Sequence, residues 1–298
     1  MDATIESDRR AAWLHERRAG IGGSDAAAAC GIDPYRDRLT LWAEKVGLAE
    51  PQDLTGNEAV EAGIALERAI GEWYGRRFGR AITLGEPFRI LRSERWPWMT
   101  CTLDATEVVD GETRVVQIKN TSHPADAWEE AVPVQYEVQL AHEMLVAGVT
   151  RGTLVALHRG QQLRAYERTL LPRLADMIVE REQEFWQLVQ SETPPDAGPR
   201  SADTVKAMFP RSTIGDLVAL PPHADDLDAE LEQIREQMSM LEDRKSAIES
   251  QLKLWIGDHE GGVTAQGVRF SWKGSEVTYK PQDARTVYQR RFLRSKAK

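Results

Sequence analysis

Between Met99 and Arg159 the sequence leaves little choice of local structure. "MTCTLDATEVVD" and "RVVQIKN" alternate apolar and polar residues at the two-residue period of a strand. The Gly-Glu-Thr stretch between them is a turn, so the two runs read as a β-hairpin. "VPVQYEVQLAHEMLVAG" then switches to a helical pattern, with Pro133 near its start and Gly148 past its end. Strand signals return in "RGTLVALHR" and "QLRAYERTL", and a further helix runs through "LADMIVEREQEFWQLVQ".

Upstream, helices are expected through Trp13 and Leu14, over "LTLWAEKVGL", and over the longer "NEAVEAGIALERAIGEWYGRRFG"; "FRILRSE" reads as a strand. Gly20 to Gly23 form a turn, after which Ser24 or Asp25 would cap an alanine-rich helix that Gly31 and Pro34 stop. "SETPPDAGPRSAD" is rich in Pro, Ser and Asp and closes a main domain over residues 1–195, leaving 196–224 as a linker. Residues 225–298 carry a long helix, two short strands around "GVRFSWKG" and "SEVTYKP", and the basic tail "RTVYQRRFLRSKAK". In that helix Leu227, Leu231, Ile234, Met238, Leu241, Ile248, Leu252 and Trp255 form a stripe that suits either a coiled-coil arm or a helix laid on the body.

The 298 residues hold no apolar run long enough to span a bilayer and begin with no secretory pattern, so a cytosolic protein is expected. A formal charge of −9 argues against coating nucleic acid by electrostatics alone. Cys30 and Cys101 are far apart and lack metal-site spacing, so they read as reduced, buried thiols.

Asp104 ends one expected strand, while Gln117 and Lys119 sit two apart on its partner and share a face. An aspartate, a second oxygen ligand and a lysine are the parts that magnesium-assisted phosphodiester hydrolysis needs, although an ordinary hairpin with an edge lysine has the same pattern. Glu67, among apolar helical neighbours, is a buried carboxylate in need of a metal or an arginine. Arg17, Ser24, Thr102 and Gln139 could each bind phosphate; taken singly, each also reads as an ordinary surface or capping residue.

"WLHERRAGIGGSDAAAACGIDPYRDRLTLWAEKVG", followed in order by "GIALERAI", "CTLDAT", "VVQIKN", "PVQYEVQLAHEMLVAG" and "EREQEFWQLV", resembles the YqaJ-type viral recombinase family, relatives of phage lambda exonuclease in the PD-(D/E)xK nuclease superfamily. The resemblance covers about residues 13–190. It implies an α/β protein with a restriction-endonuclease-like core, a central mixed sheet flanked by helices. It also implies a Mg2+-dependent (or Mn2+-dependent) 5′-to-3′ exonuclease of phage or prophage origin, acting on double-stranded DNA ends in a bacterial host. A homotrimeric ring and a single-strand annealing partner come with it. Carried over by position, Glu67 is the helical acidic residue, Asp104 the main metal ligand, Ile118 a backbone-carbonyl ligand and Lys119 the catalytic lysine. Arg17, Ser24, Thr102 and Gln139 then hold the 5′-phosphate.

Gln117 stands where the family's motif has a carboxylate. Three readings remain open: a natural variant in which Glu67 and Asp104 suffice, a substitution engineered to trap substrate, and a lineage that has lost hydrolysis and keeps the fold to bind DNA or act as a scaffold. An endonuclease that needs no DNA end is a further alternative.

Overall fold

The computed structural model describes residues 3–274, divided into two compact units, Met1–Pro210 and Arg211–Lys298. The first unit begins with α1 (Ala3–Arg18), a 3-10 turn (Gly23–Asp25), α2 (Ala26–Ala29), α3 (Arg38–Lys45) and α4 (Glu58–Phe78). Strands β1 (Ala81–Leu84), β2 (Leu91–Arg92), β3 (Thr100–Cys101), β4 (Ala105–Val109) and β5 (Glu112–Thr121) follow. Then come α5 (Ala125–Glu130), α6 (Val134–Ala147), β6 (Arg151–His158), β7 (Gln162–Thr169), α7 (Pro172–Gln190) and α8 (Ala202–Met208).

The main sheet has the order β1-β4-β5-β6-β7. It is mixed: β5 and β6 run parallel, and every other neighbouring pair is antiparallel. The parallel pair follows from the helical segment between β5 and β6, because parallel neighbours need a long crossover. The hairpin closes through Asp110 and Gly111 at φ 54° and 81°, left-handed values that a two-residue Asp-Gly turn supplies.

Both faces of the sheet are covered. Ile70 and Tyr74 of α4 pack with Val116, Ile118, Val155 and Leu163 on one face. Val138, Leu140, Ala141 and Met144 of α6 pack with Val115, Leu154 and Ala156 on the other. Burying each such aliphatic side chain is worth roughly 1.5–3 kcal/mol. β5 is therefore buried from Arg114 to Ile118, and its C-terminal end emerges from Lys119 onward.

Two polar anchors fix the helices over the sheet. Glu107, buried in β4, accepts hydrogen bonds from the Tyr74 hydroxyl (2.9 Å) and from Thr153 (2.7 Å), which ties α4 to β4 and β6. In α6, the buried His142 places Nδ1 2.8 Å from Glu182 of α7 and Nε2 2.9 Å from the Thr100 carbonyl. Both partners are acceptors, so both ring nitrogens donate. Burial opposes the imidazolium, but the charge and hydrogen bond of Glu182 outweigh it and raise the pKa of His142.

Several expectations are corrected. "MTCTLDATEVVD" is not one strand: it breaks at residues 102–104 between β3 and β4. "FRILRSE" contributes only the two residues of β2. Neither Ser24 nor Asp25 caps α2 through its side chain. Part of the segment read as a linker belongs to the first unit: Asp37 accepts from the Arg200 amide and the Ser201 hydroxyl, and Thr40 bonds Thr204 of α8.

In the second unit, α9 (Ala224–Ile256) is followed by the antiparallel pair β8 (Gly261–Val263) and β9 (Arg269–Ser271). β9 falls within "GVRFSWKG", whereas "SEVTYKP" and the basic tail lie outside the described residues. No helix among the described residues is long and apolar enough to cross a membrane.

Candidate active site

The β4–β5 ladder ends at Ala105 opposite Val116, which leaves the Ile118 amide without a strand partner. That amide donates instead to Asp104 Oδ2 at 2.8 Å. The N–H and C=O of one strand residue leave on the same edge, so the Ile118 carbonyl also faces Asp104. The break at residues 102–104 is thus what brings the aspartate against the exposed end of β5.

Gln117 is fully buried, and neither its Oε1 nor its Nε2 has a hydrogen-bond partner. Val115 packs toward α6 and Val116 toward α4, so alternation puts Gln117 and Lys119 on the α6 side. The Lys119 ammonium lies 5.3 Å from the centre of the Tyr136 ring, at the first turn of α6.

A residue absent from the sequence reading completes the group. Glu143 of α6 is 2% exposed; its Oε1 accepts from Gln139 Nε2 at 2.9 Å, and its Oε2 has no partner. Burial first, then the charge of Asp104, push its pKa up to about 8, while Gln139, Lys119 and His142 pull the other way. Glu67 on α4 is half-buried and is pushed up to about 7 by burial and then by Asp104, against the pull of Lys119. Asp104 is itself raised by burial, and Lys119 and the Ile118 amide oppose that rise. Three carboxylates and one lysine therefore share a field that lacks positive charge. Among the described residues Glu67 has no arginine partner.

The phosphate candidates are linked side chain to side chain. Arg17 Nη2 donates to Ser24 Oγ at 2.7 Å, and its guanidinium lies 4.7 Å from the Trp13 ring centre. Trp13 Nε1 donates to Thr102 Oγ1 at 3.1 Å. Gln139 joins through Glu143, whose carboxylate abuts Gly23: a Cβ at residue 23 would stand 2.7 Å from Glu143 Oε1. Ser24 owes nothing to a helix dipole, since α2 has only four residues. The position of Arg17 comes from Trp13 and Ser24, and neither the tryptophan nor Gly23 was singled out by the sequence pattern.

Beneath this loop Asp25 anchors the whole stretch. Its carboxylate meets Arg36 at 2.6 Å, Lys45 at 2.8 Å and the Gly22 amide at 3.1 Å. Burial disfavours its ionisation, but Lys45, Arg36 and Arg17 together hold the carboxyl well below the usual carboxylate range. A depressed acid stabilises the fold above its unfolded pKa and loses that contribution as pH falls through the folded value. Acid unfolding below roughly pH 4 should therefore depend on Asp25. Asp25→Asn strands the buried Lys45 charge and is expected to cost about 3–5 kcal/mol, read from the urea midpoint at neutral pH. A midpoint unchanged by the substitution would show that Asp25 does not hold the loop.

An all-oxygen donor set of Asp104, Glu143, the Ile118 carbonyl and Gln117 Oε1 suits a hard cation such as Mg2+, which protein sites hold with one or two carboxylates plus water and substrate oxygens. The unpartnered Glu143 and Gln117 oxygens are the structural reason for that fit. Among the described residues no three His, Cys, Asp or Glu side chains stand close enough to hold a metal between them.

Residues 12–150 match the family model of the YqaJ-like viral recombinase domain. The YqaJ protein of Bacillus subtilis (strain 168) is 28% identical over 257 residues, covering 84% of this chain and 79% of its own. Among solved structures, the alkaline exonuclease LHK-Exo of Laribacter hongkongensis aligns at a TM-score of 0.50 and 19% identity, over 61% of this chain and 93% of its own. The same enzyme in complex with dAMP aligns at 0.51 and 17%, over 65% and 95%. These likenesses establish the fold: a mixed central sheet flanked by helices.

Proposed function

Since residues 12–150 match the family model of the YqaJ-like viral recombinase domain, we propose that the protein is a metal-dependent deoxyribonuclease that digests linear duplex DNA from its 5′ ends in a phage-type recombination system. The observation that carries this reading is Glu143, a buried carboxylate with an unpartnered oxygen, in the field of Asp104 and Lys119. With a cation bound it would ionise and supply the negative charge that Gln117 lacks, from the facing helix instead of the strand.

Asp104 and Glu143, with the Ile118 carbonyl and Gln117 Oε1, would hold Mg2+ or Mn2+. When bound, such an ion polarises the scissile phosphate and makes water a better nucleophile near neutral pH. Lys119, on the exposed end of β5, orients the attacking water and steadies charge growing on the phosphate oxygens. Glu67, raised to about 7, stands on the α4 side to take or return a proton. Arg17 and Ser24 clasp the terminal 5′-phosphate, with Thr102 and Gln139 on either flank. Fixing the end in this way sets which phosphodiester lies at Asp104. By family resemblance three copies would ring the duplex and pass the exposed strand to a single-strand annealing protein.

The test is digestion of linear duplex with and without a 5′-phosphate in Mg2+ or Mn2+, with circular plasmid alongside. The proposal expects the phosphorylated end to be digested faster, the circle to be spared, and Arg17→Ala to erase the end preference. Intact linear DNA under all conditions would overturn hydrolysis, and a cut circle would replace end-dependent digestion with endonuclease action.

A further inference from the structure

α9 runs 33 residues with its apolar stripe exposed: Leu227, Met238, Leu241 and Trp255 are between 56% and 73% accessible. The stripe alternates steps of four and three. Leu227, Ile234, Leu241, Ile248 and Trp255 take the d positions of a heptad; Leu231, Met238, Lys245 and Leu252 take the a positions. A strict seven-residue repeat over four heptads is the pattern of a helix that supercoils with another helix, whereas a helix laid on a globular body needs a wider apolar face.

The flanks of the stripe indicate which helix. In a parallel pairing each g residue faces the e residue five positions on in its partner. Here that sets Glu230 against Arg235 and Arg244 against Glu249, both pairs opposite in charge. Residues five apart on one helix do not meet, because helical neighbours lie three or four apart. Arg235 also meets Glu232 of its own helix at 2.7 Å, so the Arg244–Glu249 pair is the one that carries meaning between chains. Arg244 has Met240, Leu241, Ala247 and Ile248 at its own three- and four-residue neighbours, none of them acidic. Lys245, alone among the a positions in being charged, fits a device that fixes register at some cost in stability.

We propose that α9 is a self-association element, pairing in parallel and in register with α9 of other copies of this chain. The interface is independent of the nuclease reading.

The experiment uses the full chain with one added thiol, since Cys30 and Cys101 are both buried. Leu241→Cys sits at d and Ser250→Cys on the outer face. Under mild oxidation Leu241→Cys should form a covalent dimer quickly and Ser250→Cys should not. Arg244→Glu in the Leu241→Cys background should slow that cross-link several-fold, and adding Glu249→Arg should restore it, even though Glu249 also neighbours Lys245 and Lys253 on its own helix. No cross-link at residue 241, equal cross-linking at 241 and 250, or a double charge swap no faster than the single one each overturns the proposal. A failed charge-swap rescue would leave α9 antiparallel, and absent or unselective cross-linking would leave it bound to a different protein or packed within its own chain.

Discussion

Glu143→Gln should lower the rate of duplex digestion by on the order of 10²- to 10³-fold. The substitution keeps the size and the hydrogen bond to Gln139 while removing the charge. Because burial and Asp104 already push the Glu143 pKa up to about 8, the free protein favours the neutral acid near neutral pH, and Glu143→Gln removes the cost of taking up that proton on folding. Thermal stability should hold or rise while activity falls, the opposite of what damage to a purely structural residue produces. Calorimetric titration with Mn2+ supplies a readout independent of turnover, and weaker binding is expected there. The decisive variant is Gln117→Glu in the Glu143→Gln background. It moves the carboxylate back to the strand and should recover a large part of both binding and rate. Unchanged Mn2+ affinity in Glu143→Gln would remove this residue from the metal site.

Lys119→Ala should be at least as severe, on the order of 10²- to 10⁴-fold in rate. Among the described residues, Lys119 is the only cation whose charge acts on Asp104, Glu67 and Glu143 alike. Its loss removes the group proposed to steady the scissile phosphate and also raises the proton affinity of the three carboxylates. Metal binding at a fixed neutral pH should fall with it. Lys119→Arg keeps the charge but not the point geometry, so it should restore metal affinity more fully than turnover. Equal recovery of both would reduce Lys119 to an electrostatic role. If Lys119→Ala digests linear duplex at the parent rate, the chemistry lies elsewhere.

The parts legible in the sequence are those set by local periodicity. The strand "VVQIKN", the helix from Pro133 to Gly148 and the hairpin joining Asp104 to Lys119 all carry their own signals, and so does the apolar stripe of α9. What escaped depends on which sides of two elements face each other. Glu143 sits between His142 and Met144, and on a helical wheel it is just another residue beside the apolar face. The cue that drew notice to Glu67, a carboxylate among apolar neighbours, applied equally to Glu143. It gained meaning only when α6 was laid over β5. Asp25 was read as a helix cap because Asp beside a Gly-rich turn usually is one. Arg36 and Lys45, distant in pattern but adjacent in space, claim it instead. The break after Cys101 was illegible because "CTLDAT" keeps a strand's alternation while the backbone turns to offer Asp104 to the Ile118 amide.

Gly23 has a bearing on how a site like this can change over generations. Its missing side chain leaves the room that Glu143 Oε1 occupies, so residues 23 and 143 are coupled by volume. A descendant that regained a carboxylate at 117 would gain nothing by keeping one at 143, and once 143 shrank, any residue could settle at 23. A change at 23 alone would instead meet the carboxylate head-on. The passage between the two arrangements is easiest with the strand changing first and the loop last, and sequences caught midway should carry acids at both 117 and 143 while still retaining glycine at 23.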